Sequence, residues 1–342
     1  MEPLAVLASG MVTAVGFNSP TSCAAIRAGI SGVEELNISE YIGSTDKLRG
    51  AKVNLPQWWN SLYKFVNLAA PAIWECLQAI PVEWHHHIPI FLGISLPHKK
   101  RLSDYDNLLN IVESKLNLSH HRYSKIIPSG QISGIHALKL TAETLLDEQV
   151  PCCIIAGTDS YLQDEIFDYY IGHRRIYTTD NSNGFFPGEA GAAVLVGLGK
   201  KFPKSTLHIT GFGEGNEPST VFTTDLPFRA TGMTEALKSA VADSGIELNR
   251  INLSLSDLNG EYYKFNEMTI ATSRFSRHDK PVSIDNIWHP IEYIGEVGAA
   301  IVPLLLGVAL DSRQKGYNPG EHLLLHVGND ECERGALIAN FR

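Results

Sequence analysis

Short apolar runs alternate along the chain with longer segments in which apolar residues recur every three or four positions. An uninterrupted apolar run bounded by glycine or polar residues is typical of a buried strand, and the three-to-four spacing is typical of a helix with one buried face. The runs predict strands at Leu4–Ala8, Ile88–Ile94, Cys152–Ala156, Ala192–Gly197, Leu207–Phe212, Ile251–Leu255, Pro281–Ile284, His322–Val327 and Gly335–Phe341. The periodic segments predict helices at Ser19–Ala28, Lys64–Ala79, Asp104–Leu116, Ile132–Leu146, Thr231–Asp243, Tyr262–Thr272 and Gly295–Leu310. We expect the strand at Ala192–Gly197 to lie at a sheet edge.

This alternation of strands and helices occurs twice. A basic and polar stretch at residues 199–204, GKKFPK, separates the two series. Alternating strands and helices predict layered α/β architecture. The repetition predicts an N-terminal half at residues 1–200 and a C-terminal half at residues 201–342, and a chain of 342 residues is long enough for two core units.

Composition narrows the classes of function. The formal net charge is −9, with 44% hydrophobic and 19% charged residues. Without a long basic block, neither a nucleic acid nor an anionic membrane is an expected partner, and no apolar stretch reaches the roughly 18 residues that span a bilayer. The five cysteines are odd in number and lack paired spacing, so we expect reduced thiols in a cytoplasmic protein. We expect no cofactor and no metal, since adjacent histidines such as His85–His87 point in different directions.

The segment Pro128–Tyr161, PSGQISGIHALKLTAETLLDEQVPCCIIAGTDSY, combines a turn, a helix and a buried strand. The free N–H groups and the dipole of a helix N-terminus present the side chain at its tip to the site. Here that side chain belongs to Gln131, with Ser129, Gly130 and Ser133 around it.

This turn resembles the nucleophile turn of the β-ketoacyl synthases of the thiolase superfamily, A-C-x-S-G-x-H-A. Residues 133–137, SGIHA, align with the end of the pattern and put Gln131 where the family carries its catalytic cysteine. A glutamine amide is no nucleophile at physiological pH. Residues 10–13 (GMVT) and 27–32 (RAGISG) extend the resemblance to the opening of these enzymes. The resemblance implies a thiolase-like five-layer α-β-α-β-α sandwich made of two duplicated halves.

Residues 180–198, DNSNGFFPGEAGAAVLVGL, are similar to a second family segment, D-x-x-x-x-G-F-x-x-G-E-G-A-A. Its glycines let the backbone bend where the loop passes the site. The resemblance places Phe185, Phe186 and Gly188 near the site, and it implies that Glu189 is a buried structural carboxylate.

The family uses two histidines to stabilise the enolate and polarise the thioester. By resemblance, residues 254–261 (SLSDLNGE) put Asn259 at the first of them, and residues 293–300 (YIGEVGAA) put Glu296 at the second. We interpret His326, at the end of an apolar run, as a structural histidine. The resemblance also places these residues near the site: Asp257, Gly295, His326, Gly328 and Asn329.

Replacement at all three catalytic positions argues against condensation. The resemblance therefore implies a catalytically degenerate ketosynthase-like protein that acts as a non-condensing binding or assembly partner. The alternatives are a chain-length-factor-like subunit in fatty acid or polyketide-type synthesis, an adaptor for bacterial type VI secretion effectors, and a residual acyltransferase or decarboxylase. The implied partners are a ketosynthase-like chain in a homodimer or heterodimer, an acyl carrier protein, or a secretion effector. By resemblance, dimers would pair through the strand at Pro151–Ala156.

Overall fold

A computed structural model of the chain describes residues 2–40, 45–56, 61–96, 102–276, 282 and 285–342. The strands are β1 Leu4–Val12, β2 Val33–Ser39, β3 Lys47–Ala51, β4 Ile90–Gly93, β5 Lys125–Ile127, β6 Cys153–Ser160, β7 Glu189–Leu198, β8 Leu207–Asn216, β9 Leu253–Ser256, β10 Ile287–Trp288, β11 His322–Gly328 and β12 Glu333–Phe341. The helices are α1 Ser19–Arg27, α2 Ser61–Leu77, α3 Leu108–Lys115, α4 Ser133–Thr144, α5 Asp164–Gly172, α6 Thr231–Ser244, α7 Tyr262–Ser273, α8 Ile291–Ile294 and α9 Ile301–Gln314.

Two groups of five strands repeat one topology. The first group has the order β5-β4-β6-β7-β1, and the second has the order β10-β9-β11-β12-β8. In each group the first three strands are parallel and the last two are antiparallel to their neighbours. Antiparallel pairing of β1 with β8 joins the groups into one ten-stranded sheet, and β2 and β3 form a separate ribbon.

Helices cover and separate the two strand groups. Helices α4 and α9 contact each other and pack on strands of both groups. Their approach requires Gly134, because a Cβ there would lie 2.4 Å from Cβ of Val302. Helices α2 and α3 bury apolar side chains against the outer face of the first group, and α6 and α7 do the same on the second. The resulting layers are helix, sheet, helix, sheet, helix.

The sheet corrects two of our predictions. Strand β7, which includes Ala192–Gly197, is not an edge strand, because it pairs with β6 on one side and β1 on the other. The stretch Pro151–Ala156 does not offer a strand for dimer pairing, because β6 is already hydrogen-bonded to both β4 and β7. The strand of this group that pairs on one side within the described residues is β5, directly before the turn that carries Gln131.

Two predicted helices have different bounds in the structure. The last helix begins at Ile301 rather than Gly295, because Gly295 and Gly298 have φ values of 72° and 49° and interrupt a right-handed helix. The helix predicted at Asp104–Leu116 is split into a 3₁₀ turn, Leu102–Tyr105, and helix α3. The strand predicted at Pro281–Ile284 falls largely outside the described residues.

Among the described residues, no helix combines the length and apolar character that a membrane span requires.

Candidate functional site

The turn after β5 fixes Gln131 at the start of the central helix α4. Gly130 has a φ of 56°, and a 3₁₀ turn at Gly130–Ile132 leads into the helix. The hydroxyl of Ser133 donates to the carbonyl of Ile127 at 2.9 Å and accepts from the N–H of Ser129 at 3.0 Å. These bonds tie the turn to the end of β5 and hold Gln131, which is 3% exposed, at the mouth of a cleft.

The three residues that the sequence resemblance aligns with the family's catalytic positions lie together. Nε2 of Gln131 donates to Oε1 of Glu296 at 3.3 Å, and Nδ2 of Asn259 donates to Oε2 of the same carboxylate at 3.0 Å. The backbone N–H of Gly298 also donates to Oε1, at 3.1 Å. Residues from two distant segments, together with the backbone of the loop that carries Glu296, therefore converge on the carboxylate of Glu296, which is 1% exposed.

Two glycines allow the loop that carries Glu296 to approach the loop at Gly188. The N–H of Glu296 donates to the carbonyl of Phe186 at 2.7 Å, and the N–H of Gly188 donates to the carbonyl of Glu296 at 3.0 Å. A Cβ on Gly188 would lie 2.3 Å from the carbonyl oxygen of Ile294, and Gly295 has a positive φ. The close backbone contact positions Glu296 without help from its side chain.

A chain of ion pairs extends from Asn259 to the cleft mouth. Nδ2 of Asn259 also donates to Glu261 at 3.0 Å, and Glu261 forms a bidentate pair with Arg175 at 2.6 Å per bond. Arg175 lies 2.9 Å from Asp330, which accepts from the hydroxyl of Tyr170 at 2.6 Å. Burial alone would raise the pKa of Asp330, but Arg175 and Tyr170 outweigh it and lower that pKa. Asp330 is therefore ionised.

A second buried group lies behind Asn259. Asp257 accepts from Lys264 at 2.5 Å and from the N–H of Gly328 at 3.0 Å. His326 contacts Ser256 through Nδ1 at 3.4 Å, and its Nε2 has no hydrogen-bond partner within the described residues. Burial lowers the pKa of His326 to about 4, against the raising effect of Asp257 and with the help of Lys264, so the imidazole is neutral.

Two carboxyl groups beside Gln131 have raised pKa values. Burial raises the pKa of Glu296 above its ordinary value, although Lys264 and the hydrogen bond from Asn259 oppose that shift. Burial also raises the pKa of Asp159 to about 6, against the lowering effect of its hydrogen bonds, which include the N–H of Ala299 at 3.1 Å. Both carboxyls act as acceptors toward neighbouring N–H groups.

Glu189, Phe185 and Phe186 lie around the site rather than in the lining of the cleft. Glu189 is fully buried and accepts from Lys64 at 3.0 Å, from Ser160 at 2.8 Å and from a backbone N–H. Phe185 packs edge-on against the rings of Tyr161 and Tyr170, while Phe186 packs on Tyr177. A structural role for Glu189 stays a prediction, and its contacts are of the kind that such a role requires.

The cleft opens into a cavity of about 300 Å³. Ser129, Gly130, Gln131 and Asn329 line it together with residues that our sequence reading missed: Asp159, Tyr161, Tyr169, Tyr170, Phe222, Asp330, Glu331 and Glu333. Among the described residues of this lining, none is Cys, His, Lys or Arg. Asp159 lies at the carboxyl end of the buried strand β6, and Tyr161 directly follows it. That position was the available signal, since ligands of α/β sheets bind at the carboxyl ends of strands.

The thiols of the chain lie elsewhere. Cys23, Cys76, Cys152 and Cys153 are buried free thiols, and Cys332 is half-buried. Burial raises the pKa of Cys23 and of Cys152 to about 12, which suppresses their thiolate forms. No group of three or more metal-ligating side chains occurs in the part of the chain that the structure describes.

Comparison with known proteins establishes the class of fold. No protein-family profile and no curated protein sequence matches the chain. Solved structures match over its whole length. A β-ketoacyl synthase from Burkholderia phymatum STM815 is 15% identical, with a TM-score of 0.74 and 100% of both chains covered.

Two complexes give similar matches. The type II polyketide synthase complex AntDE:AntF, an acyl-carrier protein with its ketosynthase bound to the hexaketide, has 13% identity, a TM-score of 0.80 and 100% coverage of both chains. The ketosynthase ApeO in complex with its chain length factor ApeC, from Xenorhabdus doucetiae, has 13% identity, a TM-score of 0.73 and coverage of 100% of this chain and 98% of that chain. The chain thus has the thiolase-like fold of the ketosynthases, and the predicted fold class is confirmed.

Proposed function

We propose that this chain is a non-condensing ketosynthase-like subunit. The observation that carries the proposal is the direction of the side-chain donors around Gln131. Both N–H bonds of its amide are engaged, with Tyr161 and Glu296, and Asn259 donates to Glu261 and Glu296. Acyl transfer needs a nucleophile, and it needs donors aimed at the developing oxyanion. The side chains of Gln131, Asn259 and Glu296 present neither a nucleophile nor a free N–H donor.

The proposed loss of activity includes decarboxylation. Decarboxylating a malonyl group forms an enolate, whose negative charge must be stabilised by donors or cations. Glu296 accepts three hydrogen bonds and offers the enolate an oxygen, which would repel it. The nearest buried cations, Lys264 and Arg175, are paired with Asp257 and with Glu261 and Asp330.

A specific observation favours pairing with a competent ketosynthase over action alone. Strand β5 lies at the edge of the sheet beside the Gln131 turn, with β4 as its partner within the described residues. An open strand edge can add a strand from a second chain. Structural neighbours of this chain include a ketosynthase bound to its chain length factor, so we infer a chain-length-factor-like role in a heterodimer. The buried free cysteines support a reducing, cytoplasmic location for this complex.

The test of inactivity restores the thiol alone. The wild-type protein and the Gln131→Cys variant are incubated with acetyl and malonyl thioesters of an acyl carrier protein, and ketoacyl product and carbon dioxide are measured by mass spectrometry. We expect the rates at which both proteins form these products to be at least about 100-fold below the rates of a competent ketosynthase, because a lone thiol lacks a base and oxyanion donors. Gln163→Cys serves as the matched control for a new thiol outside the turn. Condensation by Gln131→Cys within tenfold of the competent enzyme would refute the proposal.

A further inference from the structure

The cavity beside Gln131 has aromatic walls. Tyr161 and Tyr170 lie with ring centroids 5.3 Å apart and tilted by 33°, and Tyr169 packs edge-on against Phe222 at 6.0 Å. All four rings line the cavity. The face of an aromatic ring carries partial negative charge and attracts a cation within about 6 Å. Two of the four rings already have a cation over one face, since the guanidinium of Arg175 lies 5.4 Å from the Tyr170 ring and 5.3 Å from that of Phe222.

Negative charge adds to the effect of the rings. The lining includes Asp159, Asp330, Glu331 and Glu333, while none of its described members is basic. Arg175 balances Asp330, and Nε2 of His136 lies 3.7 Å from Glu333. The exposed Glu331 adds a further carboxylate at the mouth. An anionic ligand, such as a carboxylate or a phosphate, would meet net repulsion here.

The polar groups of the wall leave acceptors for a ligand. Tyr170 donates its hydroxyl proton to Asp330 and is hydrogen-bonded to Tyr161, which in turn accepts from Gln131. The protons of both phenols are therefore directed into the protein. Oε1 of Gln131, on a side chain that is 97% buried, takes part in no hydrogen bond among the described residues. A bound molecule would thus meet a carbonyl oxygen, carboxylates and ring faces.

We propose that this cavity binds a small organic ammonium ion. Its N–H or N–CH₃ groups would lie against the ring faces, with Gln131 Oε1 and the carboxylates as acceptors. The cavity volume of about 300 Å³ admits a molecule the size of roughly ten waters, at ~30 Å³ each. This binding goes beyond the proposed subunit role and does not depend on it, because the wall is complete within this chain.

The test compares choline with 3,3-dimethylbutan-1-ol, a neutral isostere in which carbon replaces the ammonium nitrogen. Isothermal titration of the full-length protein should show saturable binding of choline and of n-butylammonium. We expect the neutral isostere to bind at least tenfold more weakly, and the anion isovalerate to show no binding at the same concentrations. Equal binding of the isostere, tighter binding of isovalerate, or no binding of either cation up to about 50 mM would each overturn the proposal.

Variants locate the binding. Tyr169→Leu should weaken choline binding by about fivefold, the range expected for loss of one cation–π contact, and Glu331→Gln by about threefold. Tyr63→Leu and Glu321→Gln remove the same groups outside the lining and should leave the titration unchanged. Phe222→Leu replaces Tyr169→Leu if that variant does not fold. An equal effect of the control variants would refute the site. The Gln131→Cys activity assay reports on condensation alone, so each proposal can fail without the other.

Discussion

At the scale of single residues, the direction of N–H donors decides what the cleft can do. Gln131 and Asn259 both direct their amide N–H groups at the carboxylate of Glu296, which lies between them. Each bond satisfies a group that is costly to bury unpaired, by about 1–3 kcal/mol. The arrangement stabilises the fold and at the same time withdraws donors from any thioester in the cleft.

His326 gives a residue-scale prediction for pH. Its pKa in the folded protein, about 4, lies below the ordinary 6.5, so between pH 6.5 and 4 the unfolded chain binds a proton that the folded chain does not. Stability is therefore present above pH 6.5 and is lost as the pH falls. The shift corresponds to about 3 kcal/mol. The measured quantity is the unfolding free energy of the wild-type protein minus that of His326→Gln. We expect this difference to fall by about 3 kcal/mol as the pH is lowered from 6.5 to 4.

Urea unfolding monitored by circular dichroism at pH 4, 5, 6 and 7 measures this difference. Asp159 contributes the opposite trend, because its pKa is raised and its ionisation costs stability as the pH rises toward 6. This contribution is common to both proteins, so it cancels in the difference between their unfolding free energies. Parallel pH profiles for the two proteins would show that His326 is not the buried neutral imidazole described above.

The sequence predicted the residues that converge, but not their partners. The turn at Gln131 and the loops at Asn259 and Glu296 are recognisable because glycines and small residues fix their backbone patterns. Arg175, Tyr170 and Asp330 come from segments without such a pattern. Asp330 meets Arg175 and Tyr170 through side-chain contacts that span more than 150 positions of the chain. A local periodic pattern does not predict contacts over that distance.

At the scale of elements, β5 is one of the two strands at the ends of the ten-stranded sheet, and it is the one directly before the turn that carries Gln131. The carbonyl of Ile127, the last residue of β5, accepts from the N–H of Ile94, which lies directly after the end of β4. Because successive residues of a strand direct their N–H and C=O groups to opposite sides, those of Ile126 face the open edge. A partner strand would pair there.

Proline at position 126 tests this edge. Ile126→Pro removes an outward N–H, so it should spare the bonds to β4 and weaken a complex with a co-expressed ketosynthase at least tenfold. The complex is measured by co-purification and by size-exclusion chromatography with light scattering. Val82→Pro is the matched control, because Val82 is exposed and opens a 3₁₀ turn, where proline is tolerated. Undiminished pairing by a folded Ile126→Pro variant would exclude β5 as the contact.

The sequence predicted whether a segment forms a strand or a helix better than it predicted which strands pair with each other. Most predicted strands and helices overlap the observed ones, because apolar runs and three-to-four spacing report burial directly. The same signals do not say which strands pair. Strand β7 is buried at every position, so its sequence carries no mark that distinguishes an edge strand from the interior strand that it is. The predicted start of the last helix at Gly295 was wrong because Gly295 and Gly298 adopt positive φ values.

At the scale of the whole molecule, the two strand groups share one strand contact and one central layer. Strand β1 pairs with β7 and β8, and α4 packs on α9 from the other group. The division at residue 200 stays a prediction about the sequence repeat. The contacts indicate that neither half buries its inner helix without the other.

We therefore expect the fragments 1–200 and 201–342 to be unfolded or aggregated when expressed singly, since each would expose the apolar side of its inner helix, α4 or α9. Co-expression should yield a soluble complex with the circular dichroism spectrum of the intact chain. A fragment that unfolds cooperatively by itself, in a calorimetric scan, would show that the halves are independent domains.

The shared carboxylate of Glu296 has a consequence for how this chain can change over time. The side chains of Gln131, Asn259 and Glu296 are hydrogen-bonded to one another, so replacing any one of them alone leaves a buried polar atom without its partner. A stepwise path toward a thiol and two imidazoles at these positions would therefore pass through less stable intermediates, so the three residues resist replacement one at a time.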